Sequence, residues 1–324
     1  MSAPTPVRAD VEAAVRRLVA HDEFLRKTPL FRLSGAALGV NCAEVWLKLE
    51  QLQVGGSFKA RGMLNRMLSN AVPASGVIIA SGGNAGIATA AAAQALRLPC
   101  EVFVPEISSA AKRERLRQLG ATVVVTGAAY AQAQEACVAR QRLSRALMLH
   151  AYDQFEVVAG AGTLAAEIEA QAGLPDRVLV SVGGGGLIGG VAAWFEGRTR
   201  IVALEPELAP TLHAARQAGQ PVDVAVSGIA ADSLGARRIG ALAWELSQRH
   251  VRDALLLSDA AIISAQRWLW QELKLAVEPA AALGLAALQT GAYLPRPDET
   301  VCLILCGANL DPASLAPKTT IESC

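Results

Sequence analysis

The chain has 324 residues, with 30 Lys and Arg against 29 Asp and Glu, a net charge of +1, and 52% hydrophobic residues. Only 18% are charged and 4% aromatic, while 28 are glycine. This profile excludes a disordered chain, a coiled coil and a disulfide scaffold, and without a basic block or stacking aromatics it argues against nucleic acid as the main partner.

In chain order, the N-terminus (MSAPTPVRADVEAAVRRL) has no apolar signal core and reads as a soluble start. From about residue 44, short β-branched runs alternate with Ala- and Leu-rich stretches. Strands are predicted at 44–49, 77–80, 101–104, 122–125, 178–182, 200–204 and 301–305. Helices are predicted at 57–70, 84–97, 108–118, 128–145, 162–172, 259–273 and 279–290. The alternation predicts βαβ units, with mostly parallel sheets buried on both faces. Length alone suits two lobes, and with neither repeat nor linker to mark a boundary, one lobe inserted in the other is compatible with the pattern.

Residues 178–195 carry no charge and are long enough to cross a bilayer, yet four adjacent glycines predict strand, turn and helix instead. The six cysteines (Cys42, Cys100, Cys137, Cys302, Cys306, Cys324) contain no CxxC pair and the four histidines show no ligand spacing. They read as reduced core thiols of a cytoplasmic protein rather than a zinc site.

Three segments follow a predicted strand with a glycine-rich turn: SGGNAG (Ser81 to Gly86), GGGGL (Gly183 to Leu187) and CGAN (Cys306 to Asn309). Ligands of parallel sheets bind beyond the carboxyl ends of strands, and glycine backbone at a helix N-terminus suits an anion. Two such turns predict two anionic groups held together, such as a cofactor phosphate and a substrate carboxylate. A fourth segment, GGSFKARG (Gly55 to Gly62), puts Lys59 in the first turn of a helix, against the helix dipole. Such an amine is either a solvated lysine or, with a lowered pKa, a nucleophile and base. Gly184, Gly186 and Gly189 also fit GxGxxG, with Glu205 about 20 residues on, so a dinucleotide site is the competing reading.

Taken in order, LKLEQLQVGGSFKARG, ASGGNAGIA, AGAGT, SVGGGGLIGG, ALEP, KLAVEPAAALG and LCGANLD resemble the fold-type II pyridoxal-phosphate (PLP) enzymes, in particular the serine/threonine dehydratase and serine racemase group. The resemblance runs from Thr28 to Asp311. It implies a two-lobed α/β fold like that of tryptophan synthase β, with both lobes three-layered around central, mostly parallel sheets. A large PLP-binding domain (1–75 plus 151–324) would carry a small inserted domain (76–150).

The resemblance also implies roles. Lys59 would hold PLP covalently and move the Cα proton, and Phe58 would pack near the ring. Asn84 would bond the 3′-oxygen and Cys306 would face the pyridine nitrogen. The N–H groups of Gly183, Gly184, Gly185, Gly186 and Leu187 would cradle the phosphate. The turn of Ser81, Gly82, Gly83, Asn84 and Ala85 would take the substrate carboxylate. Glu278 would stand behind the ring, with helix capping as its plainer use. The implied reaction is α,β-elimination from L-threonine or L-serine to a 2-oxo acid and ammonia, with the PLP phosphate protonating the leaving hydroxyl. The implied assembly is a homodimer.

Alternatives on this scaffold are racemisation, β-replacement, and dehydration of a bulkier β-hydroxy amino acid such as phenylserine or hydroxyaspartate. Gly82 stands where serine racemases carry an acid/base serine, so racemisation is expected to be poor. A racemase-like metal site would use Glu205 and the Ala209 carbonyl, but Thr211 lacks the acidic group. The chain leaves no room after CGANLD for a regulatory domain. His150, Tyr152 and Asp153 are read as pocket-shaping or packing residues, Asp232-Ser233 as a loop near the cofactor mouth, and Asn309 as a support of its turn. Trp268 and Trp270 lie two apart on a helix, hence on different faces.

Overall fold

The computed structural model describes residues 4–315. The helices are α1 (Arg8–Val19), α2 (Lys59–Leu68), α3 (Asn84–Ala95), α4 (Ala110–Gln118), α5 (Tyr130–Ser144), α6 (Phe155–Ala172), α7 (Gly186–Phe195), α8 (Thr211–Ala218), α9 (Ala241–His250), α10 (Asp259–Leu273) and α11 (Pro279–Gln289). The strands are β1 (Leu30–Ser34), β2 (Glu44–Lys48), β3 (Val77–Ala80), β4 (Cys100–Val104), β5 (Thr122–Val125), β6 (Leu147–Met148), β7 (Arg177–Ser181), β8 (Arg200–Pro206), β9 (Val251–Leu257) and β10 (Thr300–Ile304).

Two sheets divide the strands. The larger has the order β1-β2-β10-β7-β8-β9, and only the β1–β2 pair is antiparallel. The smaller, β5-β4-β3-β6, is parallel throughout. All strands of the smaller sheet come from residues 77–148, and the larger is built from chain on both sides. The smaller sheet's core reaches beyond that segment, because Leu18, Leu25, Ala60, Met63, Leu64 and Met67 pack into it with Val77, Ile79 and Val102. Thus α2, which begins at Lys59, is sandwiched between the lobes.

Helix α6 starts at Phe155, earlier than the predicted 162. The AGAGT glycines are packing positions inside it rather than a break. A Cβ on Gly160 would stand 2.8 Å from the Gly62 Cα of α2, and one on Gly162 would stand 2.7 Å from the Gly190 oxygen of α7. Close approach of backbones is the use of glycine here. Through these contacts α6 sets the spacing between the helix bearing Lys59 and the helix that follows the GGGGL turn.

Residues 178–195 form strand, turn and a ten-residue helix, and no helix among the described residues is long and apolar enough to cross a membrane. Strand β9 carries Arg252 and Asp253 on an edge of the sheet, which masks its apolar pattern in the sequence. Cys42, Cys100, Cys137, Cys302 and Cys306 are buried free thiols, and Cys324 lies outside the described residues. Trp268 packs against the large core and Trp270 is exposed, on different faces as their spacing requires.

Candidate active site

The segment before Lys59 is stitched to the turn after β10. Ser57 bridges Gly307, Phe58 N–H donates to Cys306 O (3.1 Å), and Ala308 N–H donates to Gly56 O (2.9 Å). This small antiparallel ladder is why α2 begins at residue 59 rather than the predicted 57. It also ties Lys59 to Cys306, which are distant in sequence. Lys59 opens α2, and its Nζ donates to Ala151 O (2.6 Å) and lies 5.0 Å from the Phe58 ring centroid. Burial pulls its pKa down to about 8, against the opposing pull of Cys306 and Glu278.

The GGGGL turn leaves β7 and enters α7 with Gly185 in the left-handed region, at φ +86. None of the N–H groups of Gly183, Gly184, Gly185, Gly186 or Leu187 donates to an acceptor among the described residues. Buried backbone donors are nearly always paired. This row at a helix N-terminus therefore fits a phosphate, as the resemblance implies for PLP. The turn is pinned by its surroundings: a Cβ on Gly184 would stand 2.3 Å from the Tyr152 ring, and one on Gly183 would stand 3.1 Å from Leu234. Tyr152 meets His150 edge to face at 4.6 Å. Asp153 accepts from Ala241 and Leu242 N–H (3.0 and 3.1 Å), so it caps α9.

The second turn, Ser81 to Ala85, opens α3, and Gly82, Gly83, Asn84 and Ala85 likewise donate no backbone hydrogen bond among the described residues. The loop carrying Asp232 lies over this turn, and Lys112 of α4 pairs with Asp232 across the mouth between the lobes. A Cβ on Gly82 would stand 3.1 Å from Ser108 Oγ.

Asn84 Nδ2 donates to Glu278 Oε1 and Oε2 (2.9 and 3.0 Å), and Asn84 Oδ1 accepts from Asn309 Nδ2 (2.7 Å). Glu278 precedes α11 but its side chain makes no cap bond, so the capping use does not hold. Its carboxyl is pushed up to about 7 by burial, opposed by the Asn84 amide. Gly307 packs directly against it: a Cβ there would stand 2.3 Å from Glu278 Oε1 and would displace the carboxyl. Burial raises the Cys306 thiol well above its ordinary range, aided by the Glu278 charge. The thiol is therefore neutral.

The Glu205 carboxylate is engaged at the start of α8. Both Glu205 oxygens are taken: Oε1 accepts from Leu212 N–H (2.7 Å) and Thr211 Oγ1 (3.1 Å), and Oε2 from His213 N–H (2.8 Å). The Ala209 carbonyl accepts from Thr211 N–H (3.2 Å). Glu205 thus anchors the start of α8, and the donors sketched for a metal are engaged within the protein. The same bonds, with its complete burial, withhold Glu205 from a ribose, so the dinucleotide reading of GxGxxG fails.

A buried ion network beneath the site escaped the sequence reading. Arg61 pairs with Glu50 (2.7 Å) and Glu167 (3.1 Å), and Lys48 pairs with Glu167 (2.6 Å). Its signal was present as charges inside a strand and a helix that are otherwise buried on both faces.

A lysine amine, two glycine turns with unpaired backbone N–H groups and a neutral thiol, gathered at the carboxyl ends of β3, β7 and β10, accompany the fold of a fold-type II PLP-dependent enzyme. The chain belongs to the pyridoxal-phosphate-dependent enzyme family, whose sequence profile matches residues 22–307. It is 34% identical to the phenylserine dehydratase of Ralstonia pickettii, covering 91% of each chain. It is 36% identical to an L-threonine ammonia-lyase of Geobacter sulfurreducens, over 82% of this chain and 67% of that one. It is 32% identical to an L-threo-3-hydroxyaspartate ammonia-lyase of a Pseudomonas species, over 93% and 95%. The solved structure of maize serine racemase superposes with a TM-score of 0.89 at 27% identity, covering 96% of both chains. The cofactor of this family is PLP, and hydroxy amino acids are the substrates for which these dehydratase and lyase relatives are named.

Proposed function

We propose that this enzyme is an ammonia-lyase that converts a β-hydroxy amino acid, L-threonine or L-serine, to the 2-oxo acid and ammonia. The observation that carries the reading is the Lys59 amine, with its pKa near 8, tied by a short ladder to the neutral Cys306 thiol. In this reading Lys59 holds PLP, with Phe58 beside the ring. The N–H row from Gly183 to Leu187 takes the phosphate, Asn84 meets the 3′-oxygen, and Cys306 faces the pyridine nitrogen. The turn from Ser81 to Ala85 takes the substrate carboxylate.

Bound PLP supplies the electron sink that acidifies the substrate Cα–H. The Lys59 amine, its pKa lowered to about 8, is neutral far more often near physiological pH than an ordinary lysine, and in that form it accepts the proton. Cys306 puts no charge behind the ring, which favours expulsion of the β-hydroxyl over storage of the electron pair. The hydroxyl would leave as water on a proton from the cofactor phosphate, balanced by the proton Lys59 takes from Cα, and hydrolysis of the released enamine returns a 2-oxo acid and ammonia. The Lys112–Asp232 pair holds the loop over the carboxylate turn and screens the reacting atoms from water. The working unit is taken to be a cytoplasmic homodimer, by resemblance.

Racemisation is the second reading. Gly82 offers no hydroxyl, but Ser108 Oγ stands beside it and supplies one to the same region. An oxo-acid and ammonia screen over threonine, serine, phenylserine and 3-hydroxyaspartate, with chiral analysis of residual substrate, separates the cases. The expected result is a yellow protein that releases oxo acid from threonine or serine, and a Lys59→Ala variant with no detectable turnover. A protein that never takes up PLP, or one whose main product is the D-amino acid, overturns the proposal.

A further inference from the structure

The structure assigns Asn309 a positioning role: it sets which way round the Asn84 carboxamide sits, and thereby presents a donor to Glu278 and to the 3′-oxygen of the cofactor. The assignment rests on the reading that Lys59 and Asn84 serve PLP.

A carboxamide can sit in two orientations of nearly equal shape, so its polarity is decided by its neighbours. Here the chain of neighbours ends on an acceptor that cannot turn round. Asn309 Nδ2 donates to the backbone oxygen of Gly55 (2.7 Å). The same nitrogen donates to Asn84 Oδ1 (2.7 Å). With Oδ1 so engaged, Asn84 has only Nδ2 left for Glu278, and both contacts are made, at 2.9 and 3.0 Å.

Each reversal of this order is penalised. Turning Asn84 alone would set its nitrogen against the Asn309 nitrogen and its oxygen against the Glu278 carboxyl. Turning Asn309 alone would set its oxygen against Gly55 O. The packing around Asn309 is equally specific. A Cβ on Gly56, whose φ is +75, would stand 2.8 Å from Asn309 Oδ1, so only glycine leaves room for this side chain. Asn309 reaches Asn84 from the same turn that carries Cys306, so one short segment places both groups. A donor aimed at a carboxylate or a phenolate favours the charged form of each. Asn309 touches neither substrate nor cofactor in this account. It acts through Asn84.

The test is Asn309→Asp, which keeps the shape and replaces the donor by an acceptor. PLP-loaded wild type and variant are compared by the visible absorption of bound PLP as a function of pH, and by PLP retention on dialysis. The expected result is a folded variant whose absorption band and its pH dependence shift, with PLP held about tenfold more weakly. Asn309→Ala removes the donor without adding repulsion and is expected to shift the band the same way, by less. It carries the test if the aspartate variant does not fold. Adding Glu278→Gln to Asn309→Asp offers a donor to the reversed Asn84 oxygen and is expected to restore part of the wild-type spectrum. A structural support would give no such coupling. Unchanged spectra and retention in the folded variants, beside a wild type that takes up PLP, overturn the Asn309 assignment alone. A wild type that takes up no PLP overturns the functional reading with it.

Discussion

Lys59 is a cation at the first position of a helix, where the dipole disfavours it, and it is half-buried. Both effects favour the neutral amine. Its two nearest counter-charges, Cys306 and Glu278, oppose them but do not win, because the thiol is neutral and the carboxyl is itself pushed up to about 7. Reaction with an aldehyde needs the unprotonated amine. The rate at which apo-protein takes up PLP is therefore expected to rise with pH and level off above about 8, the pKa of this amine. An ordinary lysine would keep gaining to beyond about 10. Stopped-flow absorbance measures this directly, and a rate still climbing at the higher value would remove the claim. At this scale Lys59 and the glycines were legible because unusual residue types stood at unusual places. Asn309 was legible only as a turn residue, since its partner Asn84 lies far away in sequence.

Among the elements, α2 is the one whose placement matters most, and its first turn is held from below. Arg61, two residues beyond Lys59, is 2% exposed, and its partner Glu50 is fully buried. Removing one member of a buried pair leaves an uncompensated charge. Glu50→Ala is expected to lower unfolding free energy by about 3 kcal/mol, measured by urea denaturation of the apo-protein. The double change Glu50→Leu with Arg61→Met is expected to cost less than the single, although it removes more polar atoms. A single variant as stable as wild type would show that Glu167 alone satisfies Arg61. Two of the elements misread from sequence were hidden for separate reasons. The start of α6 was hidden by glycines that serve helix crossing, and edge strand β9 by charges facing water.

At the scale of the whole molecule, the candidate site is assembled from both lobes: the Ser81 to Ala85 turn, with Asn84, from the small sheet, and Gly183 to Leu187, Glu278 and Cys306 from the large one. The Lys112–Asp232 pair joins α4 to the covering loop, with side chains 32% and 67% exposed. Such a pair is worth at most about 1 kcal/mol, so Asp232→Ala is expected to leave melting nearly unchanged. Its effect belongs in catalysis: KM for the substrate is expected to rise severalfold, with a smaller change in kcat and a weaker dependence of KM on salt. Steady-state kinetics at two ionic strengths tests this, and an unaltered KM would make the pair a surface ornament.

By itself the sequence determined the α/β class, the mostly parallel sheets, and the places of the helix-start lysine and the two glycine turns. These features are local: strand periodicity, glycine runs and a misplaced cation are written in consecutive residues. Only the tertiary structure decided that Glu205 anchors α8, that Glu278 answers Asn84 rather than its own helix, and that Asn309 orients that amide. A hydrogen bond depends on distance and direction in space. Residues 84, 278 and 309 are brought within reach only when the two lobes close on one another.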